Sequence, residues 1–227
     1  MPVTWPNKPV LRIELNMNRS MFSTLQQLIL ASSSPRRQEF LHNLGLEFSI
    51  VTADIDETPI HKEQPEEFAC RMAKAKAQAI AQANPSSWII GADTVVTLQN
   101  GSILGKPADE AEAMVMLNQL NNTTHRVMTG MHLCCLDQAV TTTLIETTEV
   151  TFMANQEEAL HAYVRTKEPL DKAGAYGIQG LGSFLIKSIN GSCTNVIGLP
   201  VNRLIVLLLE HKIIGLFSQP TERRRQT

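Results

Sequence analysis

The chain has 227 residues, 43% of them hydrophobic and 19% charged, with 20 basic against 22 acidic side chains and a net charge of −2. That length suits one domain or two close lobes with a full core, and the charge balance excludes a surface dedicated to nucleic acid or anionic lipid. Four cysteines without a C-x-x-C pair and six histidines without an H-x-x-x-H or H-x-H pattern exclude a zinc site of ordinary spacing and fit reduced thiols in a cytosol.

Residues 1–27 are expected to form an N-terminal extension. Pro2, Pro6 and Pro9 interrupt it and no continuous apolar stretch marks a signal peptide, while Met17 and Met21 offer alternative starts. The domain proper is expected over 28–212, and 213–227, with Arg223-Arg224-Arg225, as a solvated tail. The best apolar run, Leu204 to Leu209, is too short to span a bilayer, so a cytoplasmic protein without a membrane partner is expected.

Leu28-Ile29-Leu30-Ala31-Ser32-Ser33-Ser34-Pro35-Arg36-Arg37 reads as a short buried strand, a serine turn and a helix start, with Ser34 as N-cap and Pro35 at the first helical position. Free N–H groups, the positive end of the helix dipole, and Arg36 and Arg37 beside it together favour a phosphate. The helix continues through Phe40, Leu41 and Leu44 to a stop at Gly45. A second strand, Phe48 to Val51, then runs into the acidic loop Asp54-Ile55-Asp56-Glu57, whose like charges call for a cation nearby. Glu66 to Gln82 is an alanine-rich helix with Phe68, Met72 and Ile80 on one stripe. Lys76 falls on that stripe, which calls for an internal anion, whereas Lys74 lies well around the helix in solvent.

Trp88 to Val96, apolar on both faces, reads as a central strand interrupted by Asp93 and Thr94 after a Gly91-Ala92 pair. A carboxylate there is costly unless it is paired or bound, and that points to a site. A turn at Asn100-Gly101 returns the chain through Ile103 to Pro107, which is expected to bring Lys106 close to Asp93. Asp109 and Glu112 open a helix with Met114, Leu117 and Leu120 on its core face. Two long strands, Arg126 to Leu136 and Ala139 to Phe152, form a threonine-rich hairpin, and Asn155 with Glu158 is expected to cap a helix ending near Arg165. Four glycines between Gly174 and Gly182 imply a loop pressed against a tight surface; Phe184 to Ile189 is a strand, and Asn195 to Pro200 leads into the last helix. The fold class is therefore α/β with a mixed sheet, not a strictly alternating doubly wound one.

In this order, Ser34-Pro35-Arg36-Arg37, Asp56-Glu57, Lys76-Ala77, Gly91-Ala92-Asp93-Thr94-Val95-Val96 and Gly105-Lys106-Pro107 resemble motifs of the Maf family of nucleoside triphosphate pyrophosphatases. Thr129-Gly130, Asp171 to Gly180 and Asn195 to Pro200 carry the likeness on, so that it covers roughly Leu28 to Lys212. The resemblance implies a mixed, twisted sheet in an elongated, two-lobed body with a central cleft, related to the inosine triphosphate pyrophosphatases. It also implies hydrolysis of a nucleoside triphosphate between the α and β phosphates with a divalent metal, as a nucleotide-pool house-cleaning activity, with no nucleic-acid polymer as partner and with a homodimer.

By motif, Asp93 corresponds to the family's proton acceptor, and Arg36, Thr94 and Gln179 to positions that sort its branches by base. The Asp-Thr pair with Gly-Ile-Gln-Gly resembles the branch acting on dTTP and UTP. The alternatives are the 7-methyl-GTP branch and a nucleotide sensor restraining cell division. The residue chemistry agrees with the first of these. Arg36, Arg37, Lys76 and Lys106 supply cations for the phosphates, Glu57 and Asp93 offer hard oxygen ligands to Mg²⁺ or Mn²⁺, and the Gln179 amide complements the carbonyl and N3–H edge of uracil or thymine. Ser192-Cys193-Thr194 departs from the bulkier residues expected of the family at that place.

Overall fold

A computed structural model describes residues 21–216. The arm before residue 21 and the triple-arginine tail lie outside the described residues. The elements in chain order are β1 (Phe22–Thr24), β2 (Leu28–Leu30), α1 (Pro35–Asn43), β3 (Ser49–Ile50), α2 (Pro65–Ala81), β4 (Trp88–Thr97), β5 (Ile103–Leu104) and α3 (Glu110–Leu120). They continue with β6 (Thr124–Cys135), β7 (Val140–Phe152), α4 (Glu157–Arg165), β8 (Ile186–Asn190), α5 (Cys193–Ile197), α6 (Val201–Glu210) and β9 (Ile214–Leu216). A mixed seven-stranded sheet runs β3-β2-β4-β6-β7-β8 with β5 added to β4. β2 is parallel to β3 and β4, and the remaining pairs are antiparallel. The expected α/β class with a mixed sheet holds.

Alternation along β4 decides what lies on each side. Ile89, Gly91, Asp93 and Val95 face α2, where Phe68, Ala69, Met72, Ala77 and Ile80 complete the packing. Trp88, Ile90 and Ala92 point the other way, onto Leu41 of α1 and Leu204 and Leu208 of α6. Val96, two residues beyond Thr94 on that second face, belongs to a separate cluster with Leu117, Leu160, Tyr163 and Tyr176. One side of the sheet therefore carries two apolar bodies, and Thr94 falls at the boundary between them. The neighbouring Cys134 and Cys135 divide between the α2 face and the α6 face, as alternation requires.

α2 lies directly on the strands. A Cβ at Gly91 would strike the carbonyl oxygen of Ala73, and one at Gly130, paired opposite Asp93, would strike that of Ala69. The alanines at 69, 73 and 77, one helical turn apart, and the two glycines allow backbone to rest on backbone.

Some local expectations are corrected. β1 pairs antiparallel with β9, and Gln26 accepts a hydrogen bond from Trp88 Nε1 at 2.8 Å. Residues on both sides of the expected domain limits thus join these contacts. Gln156, not Asn155, precedes α4; Asn155 is engaged instead by Asn121, whose Oδ1 accepts the Asn155 backbone N–H at 2.8 Å. Leu181–Leu185 is a 3-10 turn, so the strand after it begins at Ile186. Cys193–Ile197 forms the short helix α5, with Ser192 Oγ accepting from Asn195 N–H; the small residues at 192–194 supply its cap.

Gly130→Ala is expected to destabilise the fold by about 1–3 kcal/mol, the cost of overpacking where backbone cannot retreat. Gly105→Ala, where a Cβ meets nothing within 4 Å, should stay within about 0.5 kcal/mol of wild type in the same urea titration.

Candidate functional site

β2 leaves β4 at the pair Leu30↔Ile90, and β5 joins it only at Val96↔Leu104. Between them one edge of β4 has no strand partner among the described residues, and Asp93 and Thr94 flank that gap from opposite faces. The chain leaving β2 turns through Ser32, Ser33 and Ser34 and starts α1 beside the gap. Ser34 occupies the N-cap position, but its side chain makes no capping bond. Its N–H instead donates to Ser32 Oγ at 3.2 Å, so no side chain caps the first-turn N–H groups of α1 from that position.

On the α2 side of the gap, Lys76 Nζ donates to Asp93 Oδ1 at 2.6 Å and lies 2.9 Å from Glu57 Oε1. The anion demanded by a lysine on a buried stripe is this pair of carboxylates. Lys74 is exposed, as its position around the helix requires. Burial pushes the Asp93 carboxyl above the usual carboxylate range. Lys76 and Arg37 pull it back and Glu57 adds to the rise, leaving a net upward shift. The acidic loop carrying Glu57 is anchored from α2: Arg71 holds Glu63 through Nε and Nη2, at 2.5 and 2.6 Å, and donates to the Thr58 carbonyl at 3.1 Å.

On the other side Arg37 is the hub. Its Nε donates to the Gly198 carbonyl at 2.8 Å, Nη1 to Ser32 Oγ at 3.0 Å and Nη2 to Thr94 Oγ1 at 3.1 Å. Three of its five N–H donors are thus taken among the described residues and two remain. Thr94 Oγ1 lies 2.9 Å from Thr129 Oγ1, Thr129 donates to the Asn195 carbonyl, and Asn195 Nδ2 donates to Val127 O and Thr148 Oγ1. This polar row crosses the sheet between the two apolar bodies. Arg37 and Thr94, both expected to bind substrate, are also members of this row.

Arg36, one residue earlier, turns away from that row and lines a cavity with Lys172, Tyr176, Gly177, Gln179 and Val196. Asp171 accepts from Arg36 Nη1 at 3.4 Å and from Lys172 Nζ at 2.6 Å. Burial opposes its charge, but Lys172 and then Arg36 outweigh burial and hold its carboxyl below the usual range. Gln179 is exposed at the rim, and among the described residues its amide has no hydrogen-bond partner. Tyr176 forms part of the wall, with its hydroxyl 2.8 Å from His125 Nε2; burial lowers that imidazole to about 4 and keeps it neutral. The glycine loop is pressed against β4 as expected. Gly174, at φ +68°, packs on the Val96 side chain and donates its N–H to the Gly105 carbonyl.

Lys106 does not reach Asp93. The β4–β5 ladder ends at Leu104, Gly105 is taken by the glycine loop, and Lys106 is exposed without an ion pair among the described residues. Glu57 and Asp93 come together as expected, although no third His, Cys, Asp or Glu among the described residues joins them in a metal-binding cluster. Thr129 and Asn195 belong to motifs that carry the family likeness, but the sequence assigns them no role in the site, and it does not single out Arg71 and Glu63 at all. Each acts through a partner distant along the chain or through backbone carbonyls, which no local spacing announces.

The description "Maf-like protein" belongs to the family model that matches residues 27–211. A dTTP/UTP pyrophosphatase of Desulfotalea psychrophila is 45% identical over 86% of this chain and 100% of its own length. Those of Nitratidesulfovibrio vulgaris and Symbiobacterium thermophilum are 47% and 45% identical, over 85% and 82% of this chain and 91% and 94% of theirs. Among solved structures, the Staphylococcus aureus Ham1 protein aligns at 17% identity and a TM-score of 0.43, over 82% of this chain and 100% of that one, too loose a likeness to carry any residue across.

The raised Asp93 pKa carries a sign for stability. The group's contribution is full below its unfolded pKa of about 3.9 and is lost as pH rises through the folded value. Asp93→Asn is therefore expected to melt above wild type at neutral pH, and the gain should close on acidification. A variant less stable than wild type at pH 7 contradicts this electrostatic balance.

Proposed function

This chain belongs to the Maf-like protein family, and from that membership and the geometry of its groove we propose that it is a nucleoside triphosphate pyrophosphatase that hydrolyses dTTP and UTP to the monophosphate and pyrophosphate. The observation that carries the reading is the continuity from base cavity to carboxylates. Arg36 lines the cavity that Gln179 rims, Arg37 beside it binds Thr94, and Thr94 adjoins Asp93 across the open edge of β4.

The pyrimidine sits against Gln179, whose amide presents a donor and an acceptor side by side, as the carbonyl and N3–H of uracil or thymine require. Cytosine reverses that pattern. Arg36, the two remaining N–H groups of Arg37 and the uncapped start of α1 receive the phosphates, and the unpaired Lys106 serves their distal end. Asp93 takes the proton of a water attacking the α-phosphorus; the bond from that phosphorus to the bridging oxygen breaks and pyrophosphate leaves. Lys76, bound to both carboxylates, opposes the rise that burial imposes on Asp93.

Glu57 and Asp93 fit a divalent cation of the Mg²⁺ kind, which takes one or two carboxylates and completes its shell with water and substrate phosphates, so a third protein ligand is not required. Such an ion, when bound, supplies charge to the α-phosphoryl oxygens. The four cysteines are free thiols and no described helix is long and apolar enough to cross a membrane, in keeping with a cytoplasmic place of action on the nucleotide pool.

A panel of dTTP, UTP, CTP, GTP and 7-methyl-GTP with Mg²⁺ or Mn²⁺, read by product identification, tests the reading. Pyrophosphate release led by dTTP and UTP is expected. Orthophosphate alone, preference for 7-methyl-GTP, or binding without turnover contradicts it. Asp93→Asn should lower kcat by about 10²–10⁴-fold, the scale of a positioned general base. In the same panel Lys106→Ala should weaken kcat/KM by about 10-fold or more, the loss of one charge-assisted hydrogen bond to phosphate.

A further inference from the structure

Gln179 can select a base only if the loop that carries it is fixed, and that loop holds no regular secondary structure from Tyr176 to Gly180. Its two flanks converge on two side chains from outside it. Tyr163, buried on α4, accepts the Gly177 N–H at 3.3 Å and donates its hydroxyl hydrogen to Glu168 Oε1 at 3.1 Å. Glu168 Oε1 also accepts the Gly182 N–H, and Oε2 the Leu181 N–H, each at 3.1 Å. The carboxylate and phenol thus grip the chain two residues before Gln179 and again two and three residues after it.

The neighbouring geometry is shaped to this grip. Gly180 adopts φ +83°, and a Cβ there would come within 3.0 Å of Glu168 Oε2. A Cβ at Gly182 would strike the Tyr163 hydroxyl, and Lys167, just before Glu168, is held at φ +63°. Lys172 Nζ donates to the Glu168 carbonyl at 2.6 Å and so ties the latch to the Asp171–Arg36 side of the cavity. Burial, followed by the adjacent Glu168 charge, pushes the Tyr163 hydroxyl well above its usual range, so it remains a donor. Neither Tyr163 nor Glu168 lines the cavity itself.

We propose that Tyr163 and Glu168 form a positioning latch that fixes the Gly177–Gly182 loop and thereby sets the pyrimidine selectivity of Gln179. This rests on the pyrophosphatase reading above. A latch of this kind acts on where the base is held, so its loss appears in KM and in discrimination more than in the chemical step.

The test uses the full-length chain and the variants Glu168→Ala, Glu168→Gln and Tyr163→Phe, each checked by thermal melt and assayed on UTP and CTP. Glu168→Ala is expected to raise KM for UTP by about tenfold, the scale of a charge-assisted hydrogen bond, with kcat within about twofold and the UTP-over-CTP ratio narrowed. Tyr163→Phe should move the same quantities in the same direction by less. Glu168→Gln, which keeps one acceptor, should recover part of the ratio. Unchanged KM and ratio in a folded variant, or an equal loss of kcat on both substrates, overturns the latch. If Glu168→Ala does not fold, Tyr163→Phe decides. If wild type turns over neither nucleotide, the pyrophosphatase reading fails separately. The latch is then judged by calorimetry with α,β-imido-UTP and α,β-imido-CTP: a preference in wild type that the variants lose supports it, and no preference or an unchanged one overturns it.

Discussion

The closeness of α2 to the sheet is the constraint on which the site depends. Ala69 and Ala73 bring helix carbonyls onto Gly130 and Gly91, so that nothing larger than hydrogen separates backbone from backbone there. From that height a lysine at position 76 ends 2.6 Å from Asp93, opposite which Gly130 sits in the ladder. A helix held farther off by ordinary side chains would leave Asp93 buried beside a sheet with no cation in reach, and an uncompensated buried carboxylate is among the costliest features a core can hold. The glycines therefore belong to the electrostatics of the site as much as to its packing.

The second organising feature is the stretch of β4 edge left vacant between β2 and β5. It lets an aspartate on one face and a threonine on the other serve a single opening, and α1 delivers two adjacent arginines to it with different duties. Arg37 spends three donors on Ser32, Thr94 and Gly198, fixing three separate segments of chain, while Arg36 faces the cavity and is steadied by Asp171. Removing Arg37 would leave buried acceptors unpaired along the polar row, so its loss would be felt as stability before affinity. The row itself, Thr94 to Thr129 to Asn195 to Thr148, marks where the two apolar bodies on that face meet.

Much of this was legible from residues alone because it is periodic or local. Lys76 on the Phe68–Met72–Ile80 stripe either snorkels to the edge or meets an anion, Asp93 inside an apolar strand needs a pairing, hydrogen-bonding or metal partner, and the two proved to be each other's partner. The strand–turn–helix around Pro35 and the hairpin at Asp137 follow from punctuation by proline, glycine and polar pairs. What was hidden depends on tertiary neighbours. Lys106 missed Asp93 because the short β5 ends before the register can carry it there. Ser34 takes the N-cap position without a side-chain capping bond, and Asn155 donates both its N–H and its side-chain amide to Asn121 Oδ1 one residue before the true cap position. Thr129 and Asn195 stand in family-like motifs, but their place in the polar row, like the Tyr163–Glu168 latch, gives no local signal, since a threonine, an asparagine or a glutamate that hydrogen-bonds backbone looks in sequence like any surface residue.

The central claim is that one nucleotide spans from Gln179 to Asp93 across the open edge of β4. A crystal structure of the full-length chain with α,β-imido-UTP and Mg²⁺ measures this directly. The account predicts the uracil edge on the Gln179 amide, the phosphates between Arg36 and the start of α1, and the α-phosphorus facing the Asp93 carboxylate. A base seated at Gln179 with its phosphates directed out to solvent, away from the gap, would contradict it.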